Sequence, residues 1–148
     1  MPRIGSAAEL EKYRKKLLSQ RDLQKPCITL CSGSACQATG AAAVAESIEA
    51  EIEKQGLGAV VDTKGTGCPG FCERGPVVVI YPEEICYLQV GPGDVSEIVS
   101  QTIKEKKVVE RLLYIDPATG EKAIHESDIP FYSNQERHLI CSNIKIDS

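Results

Sequence analysis

The stretch 27-CITLCSGSACQATG-40 decides the fold. Residues 27–31 alternate and are β-prone, and the small residues of SGSACQATG then break the strand before a long helical pattern begins. Ala41, Val44, Ala45, Ile48 and Ile52 recur at helical spacing, and Gly56 and Gly58 supply the stop signal. AVVDTK, residues 59–64, reads as a second strand, which predicts a right-handed βαβ unit with its two strands parallel.

Outward from that unit, PVVVIY (76–81) and ICYLQV (85–90) flank PEE, a spacing short enough for a hairpin. Asp94 and Glu97 form an N-cap pair, and Val95, Ile98, Val99, Thr102 and Ile103 make the inward stripe of a last helix. Upstream, Ser6 and Glu9 have capping-box spacing ahead of a helix over 6–19, with Leu10, Tyr13, Leu17 and Leu18 on one face. Lys12, Lys15 and Lys16 make its basic outer face, which reads as a solvated surface. The order β-α-β then β-β-α predicts an α/β fold: a thioredoxin-like, four-stranded mixed sheet flanked by helices. After KEKK the composition changes. VVERLLYIDPATGEKAI reads as a strand, a turn at Asp116–Gly120 and a short return strand, and HESDIPFYSNQERHLICSNIKIDS carries no completed element. The expected organisation is a helical extension over 1–26, the sheet domain over 27–106 and a connector over 107–148.

Bulk properties narrow the function. With 148 residues, 42% hydrophobic and 26% charged, the chain can bury a core without disulfides. A net charge of -4 argues against a protein that neutralises phosphates, so nucleic acid is not expected as a partner. The longest apolar run, about six residues around VVVIY, is far below a membrane span of roughly 20, and the N-terminus lacks the apolar core of a leader. Direct membrane insertion is not expected and a cytoplasmic location is. In that reducing compartment seven cysteines, an odd number, are poorly explained as a disulfide framework.

The predicted topology brings two groups of cysteines together. Cys31 ends the first strand, and the loop carrying Cys68 and Cys72 follows the parallel second strand, so both loops leave the sheet at one end. Cys31, Cys36, Cys68 and Cys72 can therefore converge, with spacing C-x4-C, 31 intervening residues, then C-x3-C. No C-x-x-C pair is present, which counts against a thiol oxidoreductase. A plant-type ferredoxin spacing fails because its third position is Thr39, and a Rieske centre fails because His125 and His138 lie outside the core. Four-cysteine zinc and an iron–sulfur centre both survive on spacing. Cys27 lies four residues before Cys31, ~13 Å away along a strand, and reads as a packed core thiol. Cys86, inside an apolar strand, reads likewise.

CSGSACQATGA followed by GCPGFCERGPVVVIYPEEICYLQV resembles the thioredoxin-like 2Fe-2S ferredoxins, including the small ferredoxin subunit of respiratory complex I. The resemblance covers about residues 27–106 and implies a 2Fe-2S cluster held by Cys31, Cys36, Cys68 and Cys72. The stretch VVERLLYIDPATGEKAI, with DIPFYSNQERHLI after it, resembles the segment that joins such a domain to the flavoprotein part of NADH-binding subunits in bifurcating hydrogenases and NAD-dependent formate dehydrogenases. That resemblance implies FMN, NAD(H) and a 4Fe-4S cluster in a downstream part. The expected partners are the flavoprotein domain of the same natural chain and other iron–sulfur subunits.

A cluster with four thiolates carries a formal charge of roughly −2 oxidised and −3 reduced, so it needs donors around it. The glycine-rich loops let backbone N–H groups approach sulfur, and Ser32, Ser34, Thr39 and Thr66 are candidate hydroxyl donors, though such residues more often form turns. Phe71 is a candidate shield or core plug, Arg74 reads as a surface loop arginine, and a cis bond is expected at Gly75–Pro76. Glu83 and Glu84 are adjacent in a turn and read as solvated charges, and no nucleophile–base pair is present, so catalysis by this chain alone is not expected. The leading function is one-electron transfer within an NAD(H)-linked oxidoreductase complex. The alternative is a zinc-bound or metal-free assembly module of the same complex.

Overall fold

The computed structural model describes residues 4–19, 22 and 24–134. His138 and Cys141, and the expected connector beyond 134, lie outside the described residues.

Strand β1 (Cys27–Cys31) is buried along its whole length. It pairs in parallel with β2 (Asp62–Thr66), matching Cys27 to Asp62 and Cys31 to Thr66. On its other side it pairs antiparallel with β3 (Val78–Tyr81), which in turn pairs antiparallel with β4 (Ile85–Tyr87). The sheet order β2-β1-β3-β4 is the mixed four-stranded sheet that the sequence predicts. Between β1 and β2 run a short helix α2 (Ser34–Ala38) and a long one, α3 (Ala41–Lys54). The chain turns into α3 through Gly40 at φ 102, a left-handed conformation that glycine adopts without a Cβ penalty. Ala41, Val44, Ile48 and Ile52 are its buried stripe.

Several boundaries differ from the sequence reading. The second strand starts three residues late because the Leu57 carbonyl accepts from both Val60 and Val61, which spends residues 58–60 on a turn. The fourth strand ends at Tyr87 because Leu88 donates to Leu112, and Gln89, at φ 52, donates to Arg74. The last helix keeps its predicted stripe of buried Val95, Ile98, Val99, Thr102 and Ile103, but it is wound as a 3-10 turn (Pro92–Asp94), a single α turn α4 (Val95–Glu97) and a π segment (Ile98–Lys104). The first helix, α1 (Ala7–Ser19), is capped by Ser6, whose hydroxyl accepts from the Glu9 N–H at 3.2 Å. Two residues of its apolar face stay outside the core: Leu10 and Leu17 are 55% and 50% exposed. Gly75–Pro76 is cis, and so is Tyr81–Pro82.

Residues 107–134 fold back onto the outer edge of β4. The Cys86 N–H donates to Ile124 and Glu126 donates to Glu84, with a bridge between Ile85 and His125. The predicted turn at Asp116–Gly120 joins two-residue strands β5 (Tyr114–Ile115) and β6 (Lys122–Ala123), preceded by a 3-10 turn at Glu110–Leu112. Val109, Leu112, Leu113, Ile129 and Tyr132 belong to the same hydrophobic core as the sheet. Tyr87 fastens the junction, its hydroxyl 2.6 Å from Thr102 Oγ1 and accepting from the Val109 N–H at 3.0 Å. A completed element is present where none was expected: α5 (Pro130–Ser133), with Pro130 at its first turn. No helix among the described residues is long and apolar enough to cross a membrane.

Candidate metal centre

The parallel pairing of β1 with β2 sets the site. Cys31 closes β1 opposite Thr66, so the loop that contains Cys36 and the loop that contains Cys68 and Cys72 start side by side. Ser32 ties them: its N–H donates to the Thr66 carbonyl at 3.1 Å and its hydroxyl to the same oxygen at 2.6 Å. Cys36 is carried inward on α2, where it is 1% exposed, and Cys31 is buried as well. Cys68 is exposed and Cys72, on a 3-10 turn (Cys72–Arg74), is half-buried.

The four thiols meet as linked pairs. Cys68 Sγ lies 3.5 Å from Cys72 Sγ, near the ~3.8 Å expected of two thiolates on one tetrahedral metal with bonds of about 2.3 Å. The Cys31 thiol interacts with those of Cys36 and Cys68, which connects the inner pair to the outer one. Among the described residues no three His, Cys, Asp or Glu side chains gather around a single point as a one-ion site requires.

Electrostatics separates the two loops. Burial holds the Cys31 thiol up at about 11, opposed by the Gly33 N–H that donates to its sulfur. Cys68 is held below the ordinary thiol range by the Gly70 N–H and by its bond to Cys72. The Cys72 thiol is raised, first by that same bond with Cys68 and then by burial. Backbone N–H groups of glycines thus reach two of the four sulfurs, as the loop composition predicts. The hydroxyls do not: Thr39 donates to the Cys36 carbonyl at 3.1 Å, a local turn contact, and Thr66 donates across the β1–β2 pair to the Leu30 carbonyl at 3.5 Å.

Two glycines are required by space rather than by conformation. A Cβ on Gly33 would lie 2.9 Å from Cys68 Cβ and 3.2 Å from its sulfur. A Cβ on Gly75 would lie 2.7 Å from Cys36 Sγ. The loop backbones press directly on the thiols, a cradle that any side chain would fill. Four thiols, glycine N–H donors and closely fitted backbone suit a negatively charged iron–sulfur cluster.

Cys27 and Cys86 are buried core residues, and burial pushes the Cys86 thiol up to about 12. Arg74 pairs with its neighbour Glu73 at 3.6 Å, as a surface loop arginine would. Phe71 is buried and does more than plug the core: its ring stacks on Phe131 at 4.4 Å and 8°. Tyr132 meets both rings edge-on. Sequence reasoning missed Phe131 and Tyr132 as neighbours of the site. The available signal was the aromatic pair after Pro130 in IPFY, in a chain with only two phenylalanines.

The architecture is that of a thioredoxin-like domain that carries four cysteines on two loops at one end of its sheet. The model of the thioredoxin-like [2Fe-2S] ferredoxin family matches residues 13–103, and the chain belongs to that family. It is 38% identical over 77 residues to a 2Fe-2S ferredoxin of Clostridium pasteurianum, across 52% of this chain and 76% of that protein. A 2Fe-2S ferredoxin of Aquifex aeolicus is 52% identical over 48 residues, or 32% of this chain and 43% of that protein. The solved thioredoxin-like [2Fe-2S] ferredoxin from Aquifex aeolicus superposes with a TM-score of 0.55 at 32% identity, covering 60% of this chain and 89% of that one. The 2Fe-2S cluster is the cofactor of this family and electron transfer its function.

Proposed function

We propose that Cys31, Cys36, Cys68 and Cys72 hold a 2Fe-2S cluster and that the chain passes single electrons within an NAD(H)-linked oxidoreductase complex. The observation that carries the ligand assignment is the meeting of these four thiols, from two separate loops, at the end of the β1–β2 pair. Bound there, the cluster supplies a one-electron couple. The chain's own residues fix the rest. The β1–β2 pairing aligns the loops, Gly33 and Gly70 direct N–H groups at sulfur, and Gly33 and Gly75 leave room for close backbone approach.

The family's 2Fe-2S cofactor supports the cluster over a single zinc ion. In the zinc-bound or metal-free reading the same scaffold serves assembly alone. Iron and acid-labile sulfide on anaerobically reconstituted protein separate the two. About two of each per chain, lost in Cys→Ala variants at the four positions and kept in Cys27→Ala and Cys86→Ala, is the expected result. Stoichiometric zinc, or no metal, contradicts it.

The NAD(H) context rests on the resemblance of residues 108–124 and 128–140 to the joining segment of NADH-binding subunits. In this reading 1–26 is a helical extension, 27–106 the ferredoxin domain and 107–148 the start of a path to a flavoprotein part, where FMN, NAD(H) and a 4Fe-4S cluster bind. The partners are that flavoprotein part and other iron–sulfur subunits, in the cytoplasm. The test is to add NADH to the natural protein with its flavoprotein part attached. Reduction of the cluster supports the context, and a cluster that stays oxidised contradicts it.

A further inference from the structure

Residues 107–134 lie beyond the 13–103 matched by the family model, yet they reach the metal centre. Phe71 sits between Cys68 and Cys72 in sequence, so whatever holds its ring holds the second cysteine loop. That holder is α5. Phe131 lies flat on Phe71 at 4.4 Å, and its Cζ is where it would stand 3.4 Å from a Cβ on Gly70. Gly70 adopts φ 95, the left-handed turn that glycine favours, and the Phe131 ring packs over it. Tyr132 closes the arrangement edge-on at 5.8 Å from Phe71 and 5.1 Å from Phe131, and Tyr114 reaches Phe71 at 6.1 Å. The rings pack on Phe71 of a loop whose own thiols are the more exposed pair.

We propose that Phe131 is a positioning residue of the metal centre: stacked on Phe71 and seated against Gly70, it holds the C-x3-C loop on the domain and limits how far water enters beneath that loop. Segment 126–133 thereby sets the cluster's reduction potential and its lifetime in air. The inference rests on the ferredoxin reading above. Its sign follows from charge: the reduced centre carries one more negative charge, so admitting water favours reduction and raises the potential.

The test compares the whole chain as wild type, Phe131→Ala and Phe131→Leu, each reconstituted anaerobically. Three readouts are taken: the midpoint potential from a redox titration, the rate of bleaching in air, and, on cluster-free chain, the alkylation rate of Cys72 relative to Cys36. Phe131→Ala is expected to bleach several-fold faster, to titrate at higher potential and to alkylate several-fold faster at Cys72. Phe131→Leu keeps an apolar side chain, so it folds if Ala does not, and it should shift all three the same way by less. A wild-type chain that takes up iron and sulfide while both variants keep its potential and bleaching rate overturns the inference and leaves the ferredoxin reading standing. A wild-type chain that takes up neither overturns the reading, and the inference with it.

Discussion

The two cysteine loops supply two thiols each from opposite environments. Cys31 and Cys36 are core residues, fixed by a buried strand and by a helix that points Cys36 inward. Cys68 and Cys72 lie on an irregular loop, one exposed and one half-buried, and that loop is held from outside by the aromatic side chains of a later segment. The difference teaches that the inner half of the site comes with the sheet, whereas the outer half depends on contacts made far along the chain.

The largest effect should come from removing the inner half. Cys36→Ala should abolish iron uptake, measured as iron and sulfide per chain after reconstitution. An iron content equal to that of Cys86→Ala would break the comparison. Next are the glycines that seat the loops. Gly75→Ala places a carbon 2.7 Å from Cys36 Sγ and 3.4 Å from the Cys72 carbonyl. Overpacking of this kind costs about 1–3 kcal/mol, so substoichiometric iron and a lower urea midpoint are expected. Full loading at unchanged stability would show that the loop gives way.

The tie between the sheet and the later segment is tested at Tyr87. Tyr87→Phe leaves the Val109 N–H and the Thr102 hydroxyl short of a buried partner, a loss of roughly 1–3 kcal/mol readable in a denaturant melt. An unchanged midpoint would mean that 107–134 adds little to the fold. A finer contrast uses the cluster-free protein: exposed Cys68 should be alkylated at least several-fold faster than buried Cys31 or Cys36, followed by mass spectrometry. Equal rates would erase the distinction between the halves. The smallest effect is at Tyr132, whose buried hydroxyl has no partner among the described residues. Tyr132→Phe removes an unsatisfied group and should leave cluster-free stability equal or raised by about 1 kcal/mol.

The inner half was legible in the sequence for a physical reason. CITLC is a fully buried strand with β-branched and apolar residues, the Ala41–Ile52 stripe has helical period, and together they fix a parallel βαβ unit whose loops must emerge together. The core roles of Cys27 and Cys86 followed from the same pattern. What escaped notice depends on distant partners. Residues 107–134 show little period because their two strands are two residues long and pair with each other, and the segment meets β4 only through isolated bonds such as Cys86 to Ile124. The stack of Phe131 on Phe71 joins residues 60 positions apart, which no local pattern encodes. Conversely, α1 has the pattern of a packed helix, yet Leu10 and Leu17 stay exposed, since a period tells which residues share a face and not what lies opposite.

The most direct test of the central claim is an EPR spectrum of the anaerobically reconstituted chain after reduction with dithionite. The account predicts a low-temperature signal from one unpaired electron that integrates to about one spin per chain, as a reduced 2Fe-2S centre with four thiolates requires, and that is absent from Cys36→Ala. A silent spectrum from wild-type chain carrying zinc or no metal would contradict it.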